Sequence, residues 1–414
     1  MDSIKQQYDA RLKRVMDAAA VKEPDRVPLV PVFQAFPVYY SGYTIQDVME
    51  DWTKAGKAYD IFYRDFQPDL GWDPILFNPA PYLERSGITW YRWPGHDISD
   101  PNAMYQYAEG EYMKANEYPE AICDMTKYMM NKWMPRSFAN FKGLSKLDFR
   151  NAMWFGHIGT LLNFADPEVI STLEAMVETG KILQKWFAYL GEYGQKLKNE
   201  YGIPLIYAGF AYAPFDMIGD SMRGTVPILM DMYDRPGELL ELIDVVTRFA
   251  IEDTIKSSSG KDTPFVWFWL HKGVDEFMSD EQFKTFYWPS LRNYINAVAE
   301  AGLTPVVYVE GAYNSRLEHL KEITPGKAIF SFEYTDMEKA KQILGGQSCI
   351  MGNVPAVTLS YGTKQEVTDY CKWLIDTCAP GGGFIMDSGT MIDDAKAENI
   401  EAMFETTFNY GKRR

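Results

Sequence analysis

Pro264-Phe-Val-Trp-Phe-Trp-Leu270, Pro305-Val-Val-Tyr-Val309 and Ala328-Ile-Phe-Ser-Phe332 are short apolar runs with helical patterns between them. Such runs, separated by helices, are the pattern of parallel strands buried on both faces. Behind the first run, Ser279-Asp-Glu-Gln282 has the form of a capping box. Phe283, Phe286, Leu291, Tyr294, Ile295 and Val298 follow it at helical spacing. A short helix over residues 317–323 precedes the third run. Thr335 starts a helix that Gly345-Gly346 ends, and Cys349-Ile-Met351 is the next strand. Thr363 and Glu366 cap a further helix, with Val367, Tyr370, Cys371, Leu374 and Ile375 on its apolar face, and Gly383-Phe-Ile-Met386 is the last strand. Upstream, Ile203-Pro-Leu-Ile-Tyr-Ala-Gly209 is a strand followed by a helix over 235–256. Val27-Pro-Leu-Val-Pro-Val32 and Asp73-Pro-Ile-Leu-Phe77 bring the strands to eight. Eight βα units predict an α/β fold, a (β/α)8 TIM barrel forming a single domain over residues 1–414, with an N-terminal extension. Residues 79–150 are less regular and rich in Tyr, Trp, Met and Pro, and are expected to form a lid-like insertion over the barrel mouth.

Composition narrows the function. The formal net charge of -16 repels phosphate backbones, so no nucleic-acid partner is expected. No uncharged apolar stretch is long enough to span a bilayer, so no membrane partner is expected either. Met1–Ala19 reads as a charged amphipathic helix and not a secretory signal. Four Cys do not make a disulfide framework. Cys371 and Cys378, seven apart, read as buried thiols, and the expected location is cytoplasmic. The 27 Tyr, 24 Phe and 11 Trp are many, enough to line a pocket as well as a core. Gly381-Gly-Gly383 precedes a strand, so it reads as a turn and not a phosphate cradle.

In such a barrel the chemistry sits just after each strand. The strand ends offer Gln34, Tyr39 and Tyr40, then Asn78, then Tyr212 and Asp216, then His271 and Asp275. Tyr308 with Glu310, Glu333, Asn353, and Asp387 with Ser388 complete the set. Glu310 closes an apolar strand and precedes Gly311. A carboxylate there carries a raised pKa suited to acid–base work, holds a metal, or pairs with a cation such as Arg316. His271 is a candidate proton carrier or metal ligand, and Glu333 repeats the Glu310 pattern. The catalytic candidates are therefore Glu310, His271 and Glu333, with His271 and Glu310 as the candidate metal pair. Tyr308, Trp269, Tyr212, Asn78, Asn353 and Asp387 are candidates for substrate binding. His96, His157 and His319 read as structural or surface groups.

Several stretches resemble the uroporphyrinogen decarboxylase superfamily. They are Ile203 to Phe215, Phe277-Met-Ser-x-Glu-x-Phe-x-x-Phe-Tyr-Trp-Pro289, Met351-Gly-Asn-Val354, Ala379 to Gly389, and Glu398-Asn-Ile-Glu-Ala-Met403. They cover about residues 200–410 in the right order, and the superfamily fold is a (β/α)8 barrel. Its decarboxylases carry an Arg-Gln-Ala-Gly-Arg stretch after the first strand, where this chain has Phe33-Gln-Ala-Phe-Pro37, and their catalytic Asp aligns with Asn78. The zinc methyltransferases of the superfamily carry thiolate and imidazole ligands where Tyr308, Glu310 and Thr390 stand here. The resemblance that remains is to the substrate-side methyltransferases of O-demethylase systems. It implies transfer of a methyl group from a small methoxylated aromatic to cobalamin on a partner corrinoid protein. It also implies zinc as a candidate metal, and it is compatible with a homodimer. The alternatives are a decarboxylase of a smaller carboxylic acid, which would need arginines at the mouth, and a binding protein without catalysis. With Phe33, Pro37 and Asn78 in place of the superfamily's Arg, Arg and Asp, uroporphyrinogen lacks its cationic clamp. An anaerobic assay with uroporphyrinogen is expected to yield no coproporphyrinogen, and detectable decarboxylation would refute the reading.

Overall fold

The computed structural model describes residues 2–412, and in it the eight strand segments close into a ring. Six are regular parallel strands in sequence order: Gly209–Tyr212, Phe265–Leu270, Thr304–Val309, Ile329–Phe332, Cys349–Asn353 and Phe384–Asp387. The first two segments complete the circle through isolated bridges. Met386 N–H donates to Pro28 O at 2.8 Å, Val30 N–H to Met386 O at 2.9 Å, and Asp69 N–H to Leu29 O at 2.8 Å. Gly71 N–H donates to Pro204 O, and Ile206 N–H to Gly71 O, both at 2.9 Å. Proline explains why these segments are bridges and not full ladders: Pro28, Pro31 and Pro204 have no N–H to give.

The second segment differs from expectation. It is formed by residues 69–72, and Asp73-Pro-Ile-Leu-Phe77 turns away as a short 3-10 helix over Pro74–Leu76. The cause is local: Asp73 caps that turn by accepting Ile75 N–H at 3.2 Å, and Pro74 suits its first position. Asn78 therefore does not end a strand. The third segment begins as a bridge at Leu205 and becomes regular strand only at Gly209.

The covering helices follow the capping signals. Ser279 and Gln282, and Thr363 and Glu366, form reciprocal capping boxes. Helices span Pro236–Ser258, Trp288–Glu300, Lys364–Cys378 and Ala397–Tyr410. Asp336, not Thr335, caps Met337–Leu344, and the short helix after the fifth strand stops at Leu320. The N-terminal helix runs Asp2–Ala19, and Met1 lies outside the described residues. Five of the six regular strands are buried on both faces, and Gly209–Tyr212 only in part. In Phe265–Leu270, Trp267 and Trp269 meet Trp72 and Tyr308 inside the ring, while Phe268 packs edge-on against Tyr294 of the outer helix at 4.9 Å. Cys371 and Cys378 are buried free thiols. Among the described residues, no helix is long and apolar enough to cross a membrane.

Residues 79–150 fold as short helices and a two-strand ribbon, Tyr91–Arg92 with Gln106–Tyr107. They are bound to the loop that follows the third strand. Tyr112 N–H and Met113 N–H both donate to Met222 O at 2.8 Å, Trp133 Nε1 donates to Ser221 O at 2.6 Å, and Glu111 pairs with Arg223 at 2.7 Å.

Asp69 is the knot of the irregular side of the ring. Its fully buried carboxylate accepts from Arg14 at 2.6 Å, from Arg26 at 2.8 Å on both oxygens, and from Leu29 N–H at 2.8 Å. Asp69→Ala leaves those buried donors unmatched and is expected to cost about 3–5 kcal/mol. Guanidinium unfolding measures it; a loss under about 1 kcal/mol, the range of a surface pair, would contradict the assignment.

Candidate functional site

The strand Phe265–Leu270 delivers His271 to the rim of the barrel, and two aspartates of the preceding loop hold it there. Asp216, fully buried in the helix Pro214–Ile218, accepts His271 N–H at 2.9 Å, Lys272 N–H at 3.0 Å and the Tyr287 hydroxyl at 2.6 Å. Burial raises its pKa against the opposing pull of His271. Asp220, one helical turn further on, sets its Oδ2 2.6 Å from His271 Nδ1 and also takes the Lys272 ammonium. Burial opposes the Asp220 charge, but these two cations hold its pKa below the usual range.

The free side of the imidazole faces the next strand. His271 Nε2 lies 3.8 Å from Glu310 Oε2. The Glu310 side chain keeps 43% of its surface exposed. Its pKa is raised, by burial first and then by Glu333, Asp216 and Asp220, with His271 opposing. Gly311 adopts φ +110°, a region glycine favours, and its N–H donates to Glu333 Oε2 at 2.8 Å. Glu333, too, is raised chiefly by burial. For His271 itself burial opposes the charged form, yet the Asp220 hydrogen bond and the charges of Asp216, Glu310 and Asp220 outweigh it and lift the imidazole to about 9. At neutral pH the rim therefore holds a fixed imidazolium beside the Glu310 carboxyl group, an arrangement able to donate a proton to a bound oxygen.

His271, Glu310 and Glu333 thus come together, with Tyr212 edge-on to the imidazole at 6.2 Å. Trp269 and Tyr308 lie deeper, their rings 4.9 Å apart, and the Tyr308 hydroxyl sits near Thr390 without a hydrogen bond of normal geometry. Asp387 is buried within the ring, accepting Val32 N–H at 3.2 Å and Ser388 N–H at 2.6 Å, and burial raises it to about 6. The Asn353 amide donates to Glu333 O at 3.0 Å and Thr335 O at 3.1 Å and accepts the Tyr370 hydroxyl at 3.1 Å. Asn78 reaches Tyr91 at 3.4 Å. Arg316, the ordinary salt-bridge partner considered for Glu310, is turned instead toward Met278 O and Asp280. His319 pairs with Asp280 at 3.0 Å.

Two acidic groups were not anticipated in these roles. Asp220 was legible only as the i+4 neighbour of Asp216 on one helical face. Asp73, which ends the second segment, accepts the Tyr207 hydroxyl at 2.8 Å, and burial raises it to about 7. A cavity of about 300 Å³ opens beside Glu333, lined also by Tyr334, Asn353, Tyr370, Trp373 and Thr390.

The donor set does not suit a zinc ion. His271 and Glu310 are a pair, and among the described residues no group of three or more His, Cys, Asp or Glu side chains is arranged to hold a metal. A catalytic zinc site needs three protein ligands.

Residues 161–410 match the family model described as uroporphyrinogen decarboxylase (URO-D). Among solved structures, a methyltransferase from Methanosarcina mazei is similar over 97% of this chain and 98% of its own, with a TM-score of 0.61 at 14% identity. At that identity the likeness is one of fold. No curated protein sequence matches the chain.

The imidazole is testable directly. Its folded pKa lies above the ordinary imidazole value of 6.5, so the stabilising charge pairing is complete below that pH and fades as pH rises through about 9. NMR titration of His271 is expected to give a midpoint near 9, and Asp220→Asn to move it down toward the ordinary value. A wild-type midpoint near 6.5 would contradict the assigned geometry.

Proposed function

The chain belongs to the uroporphyrinogen decarboxylase family, and from that premise we propose that it is a methyltransferase, taking a methyl group from a small methoxylated aromatic and passing it to cobalamin on a partner corrinoid protein. The observation that carries the reading is the His271–Glu310 pair, a held imidazolium and a carboxylate 3.8 Å apart at a mouth with aromatic walls. An aryl methyl ether is a poor methyl donor because its leaving group is a phenoxide. Protonating that oxygen as it leaves removes the difficulty. His271 Nε2 supplies the proton, Asp220 holds the ring in place through Nδ1, and Asp216 fixes the backbone beneath it. The O–CH3 bond breaks with its electron pair left on oxygen, which takes the His271 proton. The methyl carbon bonds to the electron pair of the partner's cobalt(I). The protein's part is orientation, proton donation and exclusion of water, and no metal of its own is needed for it.

Residues 79–150 are assigned the role of cover. Tyr107 of the ribbon supports this: its phenol feels the charge of Glu310 at the rim. The Tyr105 hydroxyl accepts from Gln34 at the first strand's end. A closed mouth keeps water and oxidant from reduced cobalt. The acidic rim is the reason a decarboxylase of small acids is the weaker reading. Both cations near the reacting position, His271 and Lys272, are already paired with Asp220.

His271→Ala is expected to lower methylation of the corrinoid by about 10²–10⁴, the usual worth of general acid help, and Glu310→Gln, which removes the anion beside the imidazolium, to lower it as well, with folding little changed. Anaerobic absorbance of cobalamin with a methoxyaromatic panel reads the rate. Near-normal rates in both variants would move the chemistry to another group.

A further inference from the structure

Residues 151–165 form an arm between the aromatic insertion and the long helix Pro167–Lys196, and include the short helix Gly156–Leu162. Trp154, Phe155, Ile158, Leu161 and Leu162 recur at i, i+1, i+4, i+7 and i+8, the spacing of a helix's buried face. Here that face meets solvent. These five and Met153 are each more than half exposed, and Trp154 is 89% exposed. Trp154 holds its indole out from φ +57°, a region that bulky side chains rarely adopt. The base of the arm is anchored. Lys146 pairs with Asp166 at 2.8 Å, and Gly143 N–H donates to Thr172 Oγ1 at 2.9 Å. An apolar stripe is thus presented to solvent on a fixed element.

We propose that this stripe is the contact face between two copies of the chain, an inference that does not depend on the methyl-transfer reading. Area is the first argument. The six side chains expose on the order of 800 Å² of mostly apolar surface. That exceeds the largest patch of an ordinary monomer, about 300–600 Å², and equals one partner's share of a standard interface, about 800 Å². Charge is the second. At -16 each, two copies repel, so they can meet only on a neutral face. Residues 151–165 hold no Asp, Glu, Lys or Arg, in a chain that is 24% charged. A two-fold axis lays the same patch on itself, apolar against apolar. A lipid surface fits less well, because the arm lacks the Lys and Arg that hold an interfacial helix to a bilayer. Most of the arm precedes Leu161, where the family match begins, so the face belongs to this chain's own insertion and not to the shared barrel.

Sedimentation equilibrium of the purified full chain at micromolar concentration tests this. The expected mass is twice the 47.5 kDa of one chain. Trp154→Asp combined with Leu161→Asp puts four carboxylates into a two-fold contact, and is expected to sediment as a single chain with unchanged circular dichroism. Trp154→Ala, a milder change at an exposed position, is expected to weaken the dimer at least about 10-fold, as loss of an interface tryptophan does. Tyr361→Asp, an equally exposed aromatic on the helix Ala356–Tyr361, is expected to leave the dimer intact. A wild-type chain of single mass overturns the proposal, and if that monomer also co-sediments with phosphatidylcholine vesicles the face belongs to lipid instead. A dimer unweakened by Trp154→Ala, or one lost equally in Tyr361→Asp, overturns it too, because the contact then lies elsewhere.

Discussion

Closure of the sheet into a ring is the constraint on which everything else rests. A few backbone hydrogen bonds make it: Met386 to Pro28, Val30 to Met386, Asp69 to Leu29, and Gly71 to Pro204. Because all eight segments run the same way, closure brings their ends to one rim. Residues as distant in sequence as Asp216, His271, Glu310 and Glu333 then become neighbours. The same closure fills the interior with Trp72, Trp267, Trp269 and Tyr308, a floor that carries no charge of its own.

Carboxylates gathered at such a rim would repel one another, and the structure answers the cost unevenly. Asp216 and Glu333 are held by N–H donors, and Asp220 by two cations. Glu310 is left partly open beside an imidazolium. Uneven satisfaction of this kind is what separates a reactive group from a structural one. His271 keeps its proton because of the surrounding anions, although burial alone would take it away.

Much of this was legible in the chain. The apolar runs at 265–270, 304–309 and 329–332 were plain because both faces of each strand are buried, and His271, Glu310 and Glu333 followed from their positions at strand ends. The second segment was misread because Asp73-Pro-Ile-Leu-Phe77 is as apolar as a strand, while Pro74 and the Asp73 cap make it a turn. Asp220 was harder to see: helical spacing puts it one turn after Asp216, but its contact with His271 depends on how that helix packs against the next strand end. Asn353 and Asp387 read as mouth residues; Asn353 lines the cavity beside Glu333, and both side chains also make hydrogen bonds that hold the strand ends together.

The central claim is that protonated His271 delivers the proton to the leaving oxygen. The pH dependence of kcat/KM for methylation of cobalamin by a methoxylated aromatic addresses it most directly, because that ratio reports the free enzyme's essential groups. The account predicts a rate that falls tenfold per pH unit above about 9, with the break moving to lower pH in Asp220→Asn. A profile that is flat through pH 9, or one whose break is unmoved by Asp220→Asn, would contradict it.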